Sequence, residues 1–199
     1  HRRLVLEARN LSTDEEARSQ ASWWLNSISI GQMTQGFNFI YDLLPAGDKS
    51  APPESLVYLA SGTGHLFART DWDRKATWLG FNAGPYLESH AHQDQGGFTL
   101  FAGDWLAVTE NIWTHSGIQQ GTDVHNVVRF ERNGKTIRQR EPSTSKLTVL
   151  QMNATTGEVQ AEADLGAAYA ADSGVESWTR KIDFKGGKLT VSEQFSKTA

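Results

Sequence analysis

Residues 84–130 read GPYLESHAHQDQGGFTLFAGDWLAVTENIWTHSGIQQGTDVHNVVRF, and four of the chain's six histidines fall inside them: His90, His92, His115 and His125. His90 and His92 are separated by one residue, and a glycine-broken apolar run follows at once. In an extended strand, residues two apart point to the same face. On that reading His90, His92 and Asp94 project together, with Ala91 turned away. Two imidazoles and a carboxylate on one face of a sheet are costly to bury without a purpose.

Outward from this stretch the apolar period stays at two. It predicts strands over 56–60, 65–70, 77–81, 97–102, 105–110, 125–131, 135–138, 147–152, 158–163, 177–184 and 189–195. Asn133-Gly134 and Lys185-Gly186-Gly187-Lys188 are hairpin signals. Short strands at this spacing predict an antiparallel β-sandwich.

The first ~45 residues read instead as helix. Ser12 to Glu15 and Thr13 to Glu16 offer overlapping capping boxes ahead of a helix over 17–28, with Ala21, Trp24, Leu25 and Ile28 at helical spacing. A second helix is expected over 33–44, stopped by Pro45 and Gly47. The proline-rich stretch 45–54 is the linker. The expected organisation is a helical segment, 1–47, followed by a β-sandwich domain, 55–199. The opening HRRLVLEARN has neither an initiator methionine nor a signal peptide, so the chain is expected to be an internal piece of a longer one.

Composition narrows the function. A length of 199 residues allows one good core or two small ones, and a net charge of −4 leaves no basic footprint for nucleic acid. No apolar run approaches the ~20 residues of a membrane helix. The absence of cysteine excludes disulfides and thiolate metal sites. Seven Trp and nine Phe suit a β-rich core or a sugar-binding cleft.

The histidines admit three readings: hydrogen-bonded structural residues, a metal site, or acid–base catalysis by one while another holds a metal. For a metal, His125 would join the His90-x-His92 pair from a neighbouring strand, with Asp94, Asp104 and Glu110 as candidate oxygen ligands. The metal-binding cupins share the opening Gly84, five residues, then His-x-His. Their following glutamate is replaced here by Gly96 and Gly97, and Thr122, Asp123 and Val124 stand where a Pro-x-Gly should precede His125.

A longer pattern is more specific. His90-Ala91-His92-Gln93-Asp94-Gln95-Gly96-Gly97-Phe98, then Gly103-Asp104-Trp105-Leu106-Ala107-Val108, then His125-Asn126-Val127-Val128 resemble the C-terminal sheet domain of the heparinase II/III-like polysaccharide lyases. The lead-in Phe67-Ala68-Arg69-Thr70-Asp71-Trp72 resembles that family too, so the likeness spans roughly residues 55 to 131. The resemblance implies a mainly β fold, an antiparallel β-sandwich preceded by two α-helices from the end of an α/α toroid domain. It implies β-elimination on a uronic-acid polysaccharide, heparin/heparan-like or alginate-like. His90 would be the sandwich's catalytic contribution, and His92 and His125 ligands of a structural zinc. Thr109 stands where the family has an aspartate ligand, so either Glu110 or His115 replaces it or the metal is lost; Glu110 is the expected ligand. The family's catalytic tyrosine lies in the toroid, so this chain alone is expected to be inactive.

Around that site, Asp94 is expected to fix the turn and Asn126 to support His125. Trp113, in a polar loop, would stack on a sugar ring or merely anchor the loop. Trp72 and Trp105 are expected in the core. Arg129, Arg132, Arg138, Arg140 and Lys135 form a basic hairpin that would attract an anionic polysaccharide or stand as a solvated face. The expected partners are an acidic polysaccharide and the missing toroid domain, with no nucleic acid and no membrane. The expected location is periplasmic or secreted. The alternatives are a cupin-type metalloenzyme and a non-catalytic carbohydrate-binding β-sandwich.

Overall fold

The computed structural model describes residues 2–28, 50–87, 91–108, 113–114, 117–118 and 121–198, with the backbone alone for 113–114 and 117–118. The chain divides into two compact units, His1–Glu54 and Ser55–Ala199.

In the first unit, α1 spans Arg2–Leu11 and α2 spans Glu15–Ser27. The sequence reading took the first ~45 residues as helical without setting α1 apart, an amphipathic helix that buries Leu6 and carries an exposed Arg3–Glu7 pair one turn apart. It also misplaced the cap of α2. Asp14, in extended backbone, accepts from the Glu16 and Ala17 amides at 2.8 and 3.3 Å, while Ser12 Oγ accepts only from the Asp14 amide. A carboxylate one residue before the helix outcompetes the more distant hydroxyls because it also meets the positive end of the helix dipole. The helix expected over 33–44 lies outside the described residues.

The second unit is an antiparallel β-sandwich. One sheet orders β1 (Val57–Ala60), β2 (His65–Arg69), β3 (Trp78–Asn82), β5 (Phe98–Phe101) and β6 (Trp105–Ala107), side by side in that order. The other orders β12 (Lys146–Asn153), β13 (Glu158–Asp164), β14 (Val175–Lys185) and β15 (Lys188–Lys197). Three small ladders complete it: β4 (Pro85–Tyr86) with β11 (Ser143–Thr144), β7 (Trp113–Thr114) with β8 (Gly117–Ile118), and β9 (Phe130–Arg132) with β10 (Lys135–Ile137).

Register explains the core. In the first sheet Val57, Ala68, Leu79 and Leu100 stand in one cross-strand row, and Leu66, Phe81 and Phe98 in another. In the second, Val149, Ala161, Ile182 and Val191 stand in one row and Met152, Val159, Phe184 and Leu189 in another. Members of both sets join a single buried cluster around Trp178, so alternation at period two turns one face of each sheet inward. The two glycine-bearing hairpins were legible in the sequence. Asn133 and Gly134 (φ 52° and 71°) and Gly186 and Gly187 (φ 56° and 75°) take paired left-handed conformations, which two-residue hairpin loops require.

Two segments expected to be extended, 90–94 and 125–131, are not strand over residues 91–94 and 125–129. Residues 91–97 bend and turn, and the strand begins only at Phe98. Residues 122–124 make a 3-10 turn, and the later strand is confined to Phe130–Arg132. Both segments are held by buried polar side chains rather than by ladder bonds. Trp105 was expected in the core and is instead half exposed, edge-on to Trp78 and Phe101.

Candidate functional site

Gly96 places the histidine-bearing loop. It has φ +88°, and a Cβ there would lie 2.6 Å from Leu165 Cδ1 and 2.9 Å from Trp178 Cη2. Only glycine lets residues 91–97 lie this close across the four-stranded sheet. The Gly96 amide donates to Asn82 O at 2.7 Å and the Asn82 amide to Gly97 O at 2.9 Å, which ties the loop to β3.

Side chains do the rest. Gln95 and Gln139 form a reciprocal pair: the Gln95 amide donates to Gln139 Oε1 at 3.0 Å, and Gln139 Nε2 donates to Gln95 O at 2.8 Å. The Gln95 side chain donates to Ser143 Oγ at 2.8 Å and accepts from Ser145 Oγ at 2.6 Å. Gln93 Oε1 accepts from both the amide and the hydroxyl of Thr122, at 3.1 and 3.0 Å. Thr122 Oγ1 in turn accepts from the Gln139 amide at 3.2 Å. Gln95, Gln139, Thr122, Ser143 and Ser145 are all buried. In a water-excluding interior each such bond is hard to replace, so the network fixes one arrangement of the two loops.

Arg180 joins this network to the sheet. Its Nη1 donates to Gly96 O and, at 2.9 Å, to Asn126 O. Its other face pairs with Glu193, directly opposite on β15, at 2.7 Å, and Glu193 also accepts from Trp178 Nε1 at 2.8 Å. A buried guanidinium thus holds one carbonyl from each histidine-bearing loop. Arg180 was missed by the sequence reading, although a signal existed: it shares the inward parity of Trp178, Ile182 and Phe184 on β14. Gln93, Gln95, Gln139 and Thr122 gave no such signal.

The network brings His92 and His125 together, with ring centres 5.2 Å apart and planes tilted by 46°. His125 is buried and follows the 3-10 turn in extended backbone (φ −113°, ψ 155°). The expected same-face trio is corrected here. His92 and Asp94 lie in a turn, and Asp94 Oδ1 accepts from Asn82 Nδ2 at 2.8 Å while its carbonyl accepts from the Gly97 amide at 2.7 Å. Asn126 grips the backbone of Phe98 at both ends, its Oδ1 accepting from the Phe98 amide at 2.9 Å and its Nδ2 donating to the Phe98 carbonyl. His125 therefore hangs from β5 through its neighbour. His90, Thr109, Glu110 and His115 lie outside the described residues, as does the side chain of Trp113, whose backbone pairs with Ile118.

Two imidazoles bound to one tetrahedral ion at about 2.1 Å place their ring centres about 5 Å apart. The His92–His125 spacing fits that requirement. Among the described residues no group of three His, Asp or Glu side chains surrounds a common point, so any third ligand comes from elsewhere.

Beside the network, burial pushes the Tyr169 phenol up to about 12, with Gln139 and the charge of Arg180 pulling the other way. Its hydroxyl meets no partner at strict hydrogen-bond geometry among the described residues, so Gln139 is a neighbour rather than a firm donor.

Solved structures share this fold. The chain superposes over 100% of its length on a heparinase III (TM-score 0.60, 16% identity) and on the heparan sulfate lyase HepC from Pedobacter heparinus (TM-score 0.61, 16% identity), covering 28% of each. A lysine-methylated heparinase III matches over 77% of the chain at TM-score 0.59 and 18% identity. The fold is thus heparinase-like, and the chain spans about a quarter of the length of these proteins. No family model and no curated protein matches it. No helix among the described residues is long and apolar enough to cross a membrane.

Proposed function

We propose that this chain is the sheet-domain part of a polysaccharide lyase that cleaves a uronic-acid polysaccharide, heparan-like or alginate-like, by β-elimination. The observation that carries the reading is the meeting of His92 and His125 within a heparinase-like sandwich, at the separation a shared ligand demands. In the reaction a base removes the proton at C5 of the uronate. The electrons left behind form the C4–C5 double bond, and the C4–O bond to the leaving sugar breaks as its oxygen is protonated. His90 is assigned to this proton traffic, and Trp113 to stacking on a sugar ring. His92 and His125, with Glu110 as third ligand, would hold a zinc ion whose part is to pin the two loops. Asp94 and Asn126 keep those loops in register.

The helical segment 1–47 is assigned to the end of an α/α toroid whose remainder supplies the catalytic tyrosine. A periplasmic or secreted location goes with such a substrate. The test is an assay for the unsaturated uronate, by its ultraviolet absorbance, on heparan sulfate and on alginate. The full-length parent should release product, and His90→Ala should lower its rate by at least about a hundredfold. This chain alone should release none. Turnover by this chain alone, or a parent inert on both polymers, contradicts the assignment.

A further inference from the structure

A groove of about 690 Å³ runs between the β9–β10 hairpin and the end of β15, and its lining includes neither His92 nor His125. Its floor is apolar, built on Phe130 and Val175, and one wall is Phe195, half exposed and edge-on to Phe130 at 5.5 Å. Its rim is cationic. Arg129, Arg132 and Lys197 face a single lining carboxylate, Glu131, in a chain whose net charge is −4. Arg129 is already paired with Glu131. Arg132 and Lys197 have no carboxylate partner among the described residues, and both are exposed.

Arg132 is positioned as well as charged. Its Nη1 donates to the Asp172 carbonyl at 2.9 Å. A Cβ on Gly174 (φ +85°) would lie 2.2 Å from its Nη2, so the guanidinium occupies the space that glycine leaves. That one hydrogen bond leaves most of the five N–H donors of the fork for an anion.

We propose that this groove is a second, non-catalytic binding site for an acidic oligosaccharide, resting on the polysaccharide reading above. Sugars present apolar C–H faces that suit an aromatic wall such as Phe195, and their sulfate or carboxylate groups suit Arg132 and Lys197. The volume falls within the range of about 300–1,000 Å³ usual for small-ligand sites. Such a site would hold a long polymer on the enzyme between cleavage events, by raising its effective concentration at the cleft.

The test uses the full-length parent carrying His90→Ala to suppress turnover, titrated with fluorescent hexasaccharides of heparan sulfate and of alginate. Two hexasaccharides should bind per chain for the preferred polymer. Arg132→Gln with Lys197→Gln should weaken one of them about tenfold and leave the other unchanged. Lys197→Arg alone, which keeps that charge, should hold that affinity within about threefold, and circular dichroism should be the same for all. If the parent with His90 intact cleaves the polymer yet the glutamine pair binds as the unsubstituted protein does, the groove assignment fails and the lyase reading stands. If the parent neither binds nor cleaves either polymer, both fall. If poly-glutamate of matched charge binds the groove as tightly as the hexasaccharide, the site is not one for sugars and the assignment is overturned.

Discussion

The four-stranded sheet and the two histidine-bearing loops are built on opposite terms. β12–β15 is held by long ladders, each of the outer two broken by one register shift, and by rows of Val, Ile, Ala and Phe, whose contribution grows with buried area and tolerates small changes. Segments 91–97 and 122–127 have almost no ladder and little apolar area. Their shape depends on a few buried polar bonds between residues tens of positions apart, such as Gln95 with Gln139. Apolar burial is non-directional, whereas a buried hydrogen bond specifies distance and angle. The sheet thus supplies stability, and the loops spend part of it on the placement of His92 and His125. Arg180 belongs to both regions.

That makes Arg180 the place to break the contrast. Arg180→Met should cost about 3–5 kcal/mol in urea unfolding, because Glu193 is left without its cation and two loop carbonyls lose their donor. Replacing the whole pair, Arg180→Met with Glu193→Leu, should recover part of that stability yet leave the histidine loops unfastened, visible as faster amide exchange at residues 92–97. Gly96→Ala should follow, at about 2–4 kcal/mol, from left-handed backbone and the collision with Leu165 and Trp178. Gln139→Ala should cost about 1–3 kcal/mol, and its distinguishing sign is local: exchange rises in the loops while β13 and β14 stay protected.

The smallest effect is a pH dependence. The Tyr169 phenol is held up to about 12 in the folded protein and titrates near 10 when unfolded, so its favourable contribution is complete below pH 10 and is lost as the pH rises toward 12. The fall should be at most about 3 kcal/mol, the full worth of a rise from 10 to about 12, and Tyr169→Phe should remove it. A stability curve equally steep in that variant would assign the fall to other groups.

The same contrast decides what a reader of the sequence can see. The sheet rows follow from period-two alternation, and the Asn133-Gly134 and Gly186-Gly187 turns from the conformations those residues favour. The pairing of His92 with His125 was open to the sequence as one metal-site reading among three, and likeness to a known pattern sharpened it. Its physical basis, Gln95, Gln139, Thr122 and Arg180, is scattered over nearly ninety positions in sequence and has no period. Residues 90–94 were read as extended and 125–131 as strand because alternation was assumed to run through them. In the folded chain Asn126 and Gln93 satisfy the backbone that a ladder would otherwise have served. The α2 cap was missed for a related reason, since three consecutive candidates could cap and only geometry chooses Asp14.

The most direct test of the account is the metal content of the purified, chelator-rinsed protein, measured beside His92→Ala and His125→Ala. The account predicts close to one zinc per chain, lost in both variants while the β-sandwich stays folded by circular dichroism. Zinc retained in both variants, or no metal in the unsubstituted protein, would contradict the claim that the two loops are arranged to share an ion.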